Sequence, residues 1–370
     1  AAVVDQGSIW VSTDYGSSWS ETSDPAGGDD DYSTTYNWRA VAVSSDGTKL
    51  AAAHQYGLWT SDDSGATWSQ DSSISSSNLR DIAMSDDGGL MAVVEYSGAL
   101  YTSSDAYQWN SPSSMSDDGA VTHDWQAIAM SADGGIIVAV AAQDYNYMGG
   151  GVYLSTDFGS TWSTAVFGGG ASLNLVDVAV AGSGSRLSAV ANGGQGGQVW
   201  ISADAGATWA TEPPAGITPA PTVPMAPAPT PAPSASPRAW SAIASSADGA
   251  RLAATVSSGS IYTSADSGAS WTEDATAGAR NWVSIAMSAD GQRLAAVEGS
   301  VDLSYCDVYG SLWTSSDFGA SWTEQAGLGS NCWRGVAMSG DGATVAAVVD
   351  QGSIWVSTDY GSSWSETSDP

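Results

Sequence analysis

An eight-residue pattern, Ser-x-Asp-x-Gly-x-Ser/Thr-Trp, recurs along this chain every 42 to 62 residues and sets what it can fold into. It runs Ser12–Trp19, Ser61–Trp68, Ser155–Trp162, Ser202–Trp209, Ser264–Trp271, Ser315–Trp322 and Ser357–Trp364. A shortened copy, Ser103–Trp109, carries Tyr107 where glycine is expected. The aspartates of the pattern are Asp14, Asp63, Asp105, Asp157, Asp204, Asp266, Asp317 and Asp359. A longer period overlies the short one, because Ala1–Pro25 returns without a substitution as Ala346–Pro370. Residues 1–345 therefore make one long period of seven short units, and residues 346–370 are an echo of the start.

Each unit repeats one strand grammar. A first segment, Trp38-Arg-Ala-Val-Ala-Val43 and its relatives from Leu79, Trp125, Leu175, Trp240, Trp282 and Trp333, alternates apolar residues with period two, as a half-buried strand does. Asp46-Gly47, Asp87-Gly88, Asp133-Gly134, Asp248-Gly249, Asp290-Gly291 and Asp341-Gly342 follow as hairpin turns, since both residues tolerate positive φ. A second strand follows, then a third bearing Trp59, Tyr101, Tyr153, Trp200, Tyr262, Trp313 or Trp355. The Asp turn leads into a fourth strand expected to open at its Trp. Four short antiparallel strands per unit, seven times over, predict an all-β chain: a seven-bladed β-propeller with four antiparallel strands per blade.

The pattern resembles the Asp-box, or BNR, repeat of sialidase-like, sortilin-like and xyloglucanase-like propellers, over essentially the whole chain. The turn's chemistry is local: the Asp accepts backbone N–H bonds, and Gly supplies a conformation closed to residues with a Cβ. The Trp is left to pack between neighbouring sheets. One such turn per blade spreads the carboxylates around the rim, so we expect them to be structural, with no catalytic, cofactor-binding or metal site among them. Resemblance to sialidases implies three convergent Arg, a Tyr nucleophile with a Glu partner, and an Asp acid/base. Most of the eight Arg occupy repeat-equivalent places instead, Arg39, Arg80 and Arg334 on the first strand and Arg186, Arg251 and Arg293 after its turn. No Arg-Ile-Pro precedes the first box. Resemblance to xyloglucanases implies two Asp residues facing across a cleft, which 33 Asp leave open.

Composition narrows the partners. Nine Lys+Arg against 40 Asp+Glu give a formal charge of −31, the wrong sign for a phosphate backbone. The 42 % hydrophobic content with 18 Trp is enough for a core. No apolar run approaches the ~20 residues of a membrane span, and Ala1 opens in patterned sequence with no signal peptide. His54 and His123 lack metal-ligand spacing and read as surface or interblade residues. Asp29-Asp30-Asp31 we read as a solvated acidic linker, with Ca²⁺ binding as the alternative.

Cys306 and Cys332 lie near the join of two units, where a disulfide would staple neighbouring blades in an oxidising compartment; two buried thiols are the alternative. Residues 213–237 hold 10 of the 13 prolines, favouring extended polyproline II in a projecting loop. This insert resembles hydroxyproline-rich glycoprotein modules. That resemblance implies O-glycans among Thr218, Pro219, Pro221, Thr222, Pro224, Pro227, Pro229, Thr230, Pro231, Pro233, Ser234, Ser236 and Pro237. None of the eight Asn has Ser or Thr two residues on, so any sugar is O-linked. The echo points to a tandem array or filament of identical units sharing strands, extracellular and adhesive, with residues 346–370 belonging to a neighbouring unit. A glycan-active hydrolase or lectin is the alternative, and a receptor or assembly scaffold a third.

Overall fold

A computed structural model describes residues 2–3, 9–12, 20–21, 38–54, 57–71, 74, 78–105, 108–111, 123–142, 150–165, 173–192, 197–211, 238–274, 276–300, 308–349 and 354–366. Its elements are all strands apart from one 3₁₀ turn at Ala326–Leu328. A leading sheet holds β1 (Ala2–Val3), β2 (Ile9–Val11) and β3 (Ser20–Glu21). The next is β4 (Trp38–Val43), β5 (Leu50–His54), β6 (Gly57–Ser61) and β7 (Ser69–Asp71). Then come β8 (Leu79–Met84), β9 (Met91–Glu95) and β10 (Leu100–Ser103).

Four-stranded sheets follow: β11 (Asp124–Met130), β12 (Ile137–Ala142), β13 (Gly151–Ser155) and β14 (Ser163–Thr164); β15 (Leu175–Val180), β16 (Leu187–Ala191), β17 (Val199–Ser202) and β18 (Ala210–Thr211). The next two units are β19 (Trp240–Ser245), β20 (Leu252–Gly259), β21 (Ile261–Ser264) and β22 (Thr272–Asp274), and β23 (Arg280–Met287), β24 (Leu294–Glu298), β25 (Leu312–Ser315) and β26 (Thr323–Glu324). Pairing of β20 with β23 joins these two. The last is β27 (Trp333–Met338), β28 (Val345–Val349), β29 (Ile354–Ser357) and β30 (Ser365–Glu366).

Every described pairing is antiparallel, and within each unit it follows chain order, as tight Asp-Gly and Ser-x-Asp turns require; the β20–β23 pairing crosses between units. The fourth strands are only two or three residues long and start after the Trp rather than at it. The indole explains this: Trp162 Nε1 donates back to the Gly159 carbonyl at 3.1 Å, and its ring packs against the preceding sheet's cluster. In the degraded copy the fourth strand shrinks to a single Thr102–Asn110 bridge.

The core lies between sheets. Second strands are buried along both faces, as in Ile137–Ala142, and the apolar clusters each join one sheet to the next. The first strands pack side by side, and each carries a β-bulge after its leading Trp or Leu, as between Trp125 and Ala127. A belt of backbone bonds links successive first turns. Ser45 N–H donates to the Asp86 carbonyl (2.7 Å), Asp86 to Ala132 (2.8 Å), Ala132 to Gly182 (2.9 Å), Gly182 to Ala247 (3.0 Å), Ala247 to Ala289 (2.9 Å) and Ala289 to Gly340 (2.8 Å). The leading sheet sits between the first complete sheet and the last: Ile9 and Val11 pack with Leu50, Ala52 and Trp59, while Trp10 packs on Ile354 and Val356.

Candidate functional site

The repeated turn consumes its own carboxylate. In Ser155–Trp162, Asp157 Oδ1 accepts from Ser155 Oγ (2.9 Å) and Thr161 N (2.8 Å), while Oδ2 accepts from Thr161 Oγ1 (2.6 Å). Ser155 Oγ in turn accepts from Gly159 N at 2.8 Å. The same bonds recur around Asp63, Asp204, Asp266, Asp317 and Asp359. Hydroxyl donation, with the backbone N–H next, holds the Asp63, Asp157, Asp204, Asp317 and Asp359 carboxyls below the usual range. Two consecutive residues turn left-handed: Phe158 at φ 60° and Gly159 at φ 81°. A Cβ on Gly159 would lie 2.7 Å from Thr102 Cγ2 of the preceding sheet, so glycine serves both the turn and the close approach.

The first turns use a shorter form of the same chemistry. Ser44 Oγ donates to Asp46 Oδ1 at 2.7 Å, and that oxygen also accepts from Thr48 N at 2.9 Å, which helps to hold Asp46 down at about 2. Where Asp-Gly is missing, Ser183 and Ser185 hydroxyls bond each other at 2.7 Å instead.

Two carboxylates stand apart. Asp81 on β8 accepts from its neighbour Ile82 N and, through Oδ2, from Ile128 N on β11, both at 2.9 Å. Asp177 on β15 likewise accepts from Val178 N (2.8 Å) and from Ile243 N on β19 (2.9 Å). Burial pushes the Asp81 carboxyl up to about 6 and Asp177 to about 7 against the pull of those N–H donors. A third link follows at the equivalent residue, Ser284, whose Oγ accepts from Val336 N at 3.3 Å. These side chains stand two residues after the leading Trp or Leu of alternate first strands and fasten each to the next. Neither acid stands out within a single unit of the sequence. Superposing the units shows the signal: an acid at Asp81 and Asp177 where the others have Ala40, Ala127, Ala242, Ser284 or Gly335.

Further polar side chains lie near the starts of the first strands. Arg80 donates to Gln126 Oε1 at 2.8 Å and lies 5.6 Å from the Tyr96 ring centroid. Burial lowers its pKa, and Asp124 nearby opposes that shift. Glu95 accepts from Ala99 N (2.8 Å) and Tyr101 Oη (3.4 Å). His123 Nδ1 meets Tyr153 Oη at 3.2 Å, with Trp125 edge-on at 5.1 Å. His123 and His54 are both buried, and burial lowers His54 to about 4; of the two expected positions, surface or interblade, burial fits the second. Glu298 repeats the theme, accepting from Trp313 Nε1 (2.8 Å) and pairing with Arg280 (3.1 Å). Arg80 and Arg334 have separate partners, the latter donating to the Ser300 carbonyl at 3.1 Å.

Residues 312–325 match the family model of the BNR-Asp box repeat. The repeated turn is an Asp box. Among curated proteins none matches this sequence. Solved structures do resemble the fold. YCF48 bound to D1 peptide is 15 % identical with a TM-score of 0.57, covering 88 % of this chain and 94 % of its own. The GH74 enzyme of Niastella koreensis is 17 % identical with a TM-score of 0.50, covering 97 % of this chain, which spans 61 % of that enzyme. The β-propeller domain of Cps50 (Swd1) from Myceliophteria thermophila is 12 % identical with a TM-score of 0.54, covering 84 % and 93 %. At such identities the likeness establishes a propeller-like all-β fold.

The described Asp boxes thus hold their own turns; the box of Asp14 lies outside the described residues. In the degraded box, Asp105 still accepts from Ser103 Oγ (3.2 Å) and Gln108 N (2.8 Å). No group of three metal-ligating side chains occurs among the described residues. Asp29-Asp30-Asp31, residues 213–237 and Cys306 lie outside them. Cys332 is buried and disulfide-bonded. Asp204→Ala removes three accepted bonds from an exposed turn, so it should lower the urea midpoint only slightly and leave the fold intact. Urea denaturation monitored by Trp fluorescence measures that loss.

Proposed function

We propose that this chain is a non-catalytic, extracellular structural unit, a propeller of seven blades built to associate with further copies of itself. One observation carries the proposal: Ala1–Pro25 equals Ala346–Pro370, and the leading sheet repeats the pairing of β28–β30. A sheet that copies the chain's own last strands, packed beside the first complete sheet, is the junction expected where one repeat meets the next. The carboxylates support the absence of catalysis in this proposal, because the described box aspartates are bonded within their turns and Asp81 and Asp177 are bonded across sheets. In the same proposal Cys306 pairs with Cys332, and residues 213–237 carry O-linked sugar outside the ring.

A glycan-active propeller is the second reading, favoured by the fold likeness to GH74 enzymes. Release of reducing ends from xyloglucan and related polysaccharides decides between the two. The structural proposal expects none above a heat-denatured control. Turnover that disappears when a single Asp becomes Asn would overturn it.

A further inference from the structure

A cavity of 430 Å³ opens between the sheet β23–β26 and the sheet β27–β30. That volume lies within the range of about 300–1,000 Å³ of small-molecule sites. Hydroxyl, amide, phenol and guanidinium groups line it, and no carboxylate does. Part of the lining is locked. Gln325 Nε2 donates to Thr314 Oγ1 at 2.8 Å, and Gln325 Oε1 accepts from Trp364 Nε1 at 3.1 Å. The Ser315 and Ser321 hydroxyls are committed to Asp317 of the Asp box.

Other lining groups are uncommitted. Among the described residues, the side chains of Arg293, Ser316, Thr323 and Tyr360 make no hydrogen bond. The Arg293 guanidinium is nevertheless held in place. Its central carbon lies 3.9 Å from the Tyr360 ring centroid, and its stem runs so close under Gly342 that a Cβ there would collide with it. A stacked guanidinium is a planar fork of donors already fixed in direction, so a ligand that accepts from it costs little further rotamer entropy. Tyr360 is 48 % exposed, which leaves ring surface open beside the hydroxyls. The neighbouring groove lacks this set. Arg251 lies 4.8 Å from the Phe318 ring centroid, but Phe318 has no hydroxyl. Buried Asp274 stands there three residues after the box Trp, where Gln325 stands here.

We infer that this groove is a binding subsite for one neutral sugar residue of an oligosaccharide. A pyranose offers vicinal hydroxyls at its edge and C–H groups on its face. Arg293 would donate to a vicinal pair, Ser316 and Thr323 would exchange hydrogen bonds with further hydroxyls, and the Tyr360 ring would take C–H contacts. No carboxylate lines the groove, so it holds the sugar without cleaving it. The formal charge of −31 selects against an anionic ligand, which the guanidinium alone would accept. The inference goes beyond the proposed function and does not rest on it, because every lining residue lies within 293–362 of one chain.

The test is an NMR titration of the full chain with cellotetraose, xylotetraose, mannotetraose and galactotetraose, and with tetragalacturonate as the anionic probe. At least one neutral tetrasaccharide should give saturable shifts at the amides of Ser316, Gly361 and Ser362. Its Kd should rise about tenfold or more in Arg293→Met, which keeps the stem and removes the donors. Arg251→Met, in the neighbouring groove, should leave that Kd unchanged. Thr323→Val, on an exposed strand, should also weaken binding and serves as the comparison if Arg293→Met loses its native Tm. No saturable shift with any neutral probe, shifts confined to other residues, an unchanged Kd in the natively folded variant, or tighter binding of tetragalacturonate would each overturn the subsite.

Discussion

Gly268→Val should destabilise the protein by about 3 kcal/mol or more, shifting the denaturation midpoint far beyond any surface change. Gly268 sits at φ +89° in its Asp box, and its N–H donates to Ser264 Oγ at 2.8 Å. A Cβ there would fall 2.5 Å from Ile201 Cγ1 and 2.7 Å from its Cδ1, in the sheet before. Left-handed strain and overpacking each cost about 1–3 kcal/mol. Gly278→Ala isolates the first effect. That residue also has positive φ (77°) but open space around its Cβ, so its replacement should cost only about 1 kcal/mol. Equal losses at the two sites would contradict the view that the box glycine docks one sheet on another.

The second large effect is a gain of stability on mild acidification. Asp81 and Asp177 titrate near 6 and 7 when folded, against an ordinary 3.8. The folded state therefore binds more protons than the unfolded chain between about pH 4 and 7. Stability is fully present below the unfolded value and is lost as pH rises through the folded ones. Each pH unit of that difference is worth about 1.4 kcal/mol per group, so Tm should climb from pH 8 to about 5. The formal charge of −31 acts in the same direction, through self-repulsion that eases as carboxylates protonate. Below about pH 4 the trend reverses, because Asp box carboxylates held below their usual range lose their bonds on protonation. In the Asp81→Asn, Asp177→Asn double variant the rise should flatten markedly, with lower stability at pH 5. A wild-type Tm that falls steadily from pH 8 to 5 would contradict the assignment.

What the sequence reveals is what local chemistry decides. Ser155, Asp157, Gly159 and Thr161 lie within seven residues and the side-chain bonds that hold the turn run among them, so their spacing alone announces it. The hairpin order follows from Asp46-Gly47 and its relatives for the same reason. Links between units are invisible at that range: Asp81 finds Ile128 47 residues on, and Asp177 finds Ile243 66 residues on. The Trp of the box was expected to open a strand, but its indole is drawn back to Gly159, which delays pairing by a residue. The echo advertised a duplication, and its packing between β5 and β29 gives that duplication a place.

Self-association through the repeat is the central claim, and negative-stain electron microscopy of material from the native source tests it most directly. We predict rings joined edge to edge, as beads on a string or fibres. A field of single, separate discs would contradict the claim.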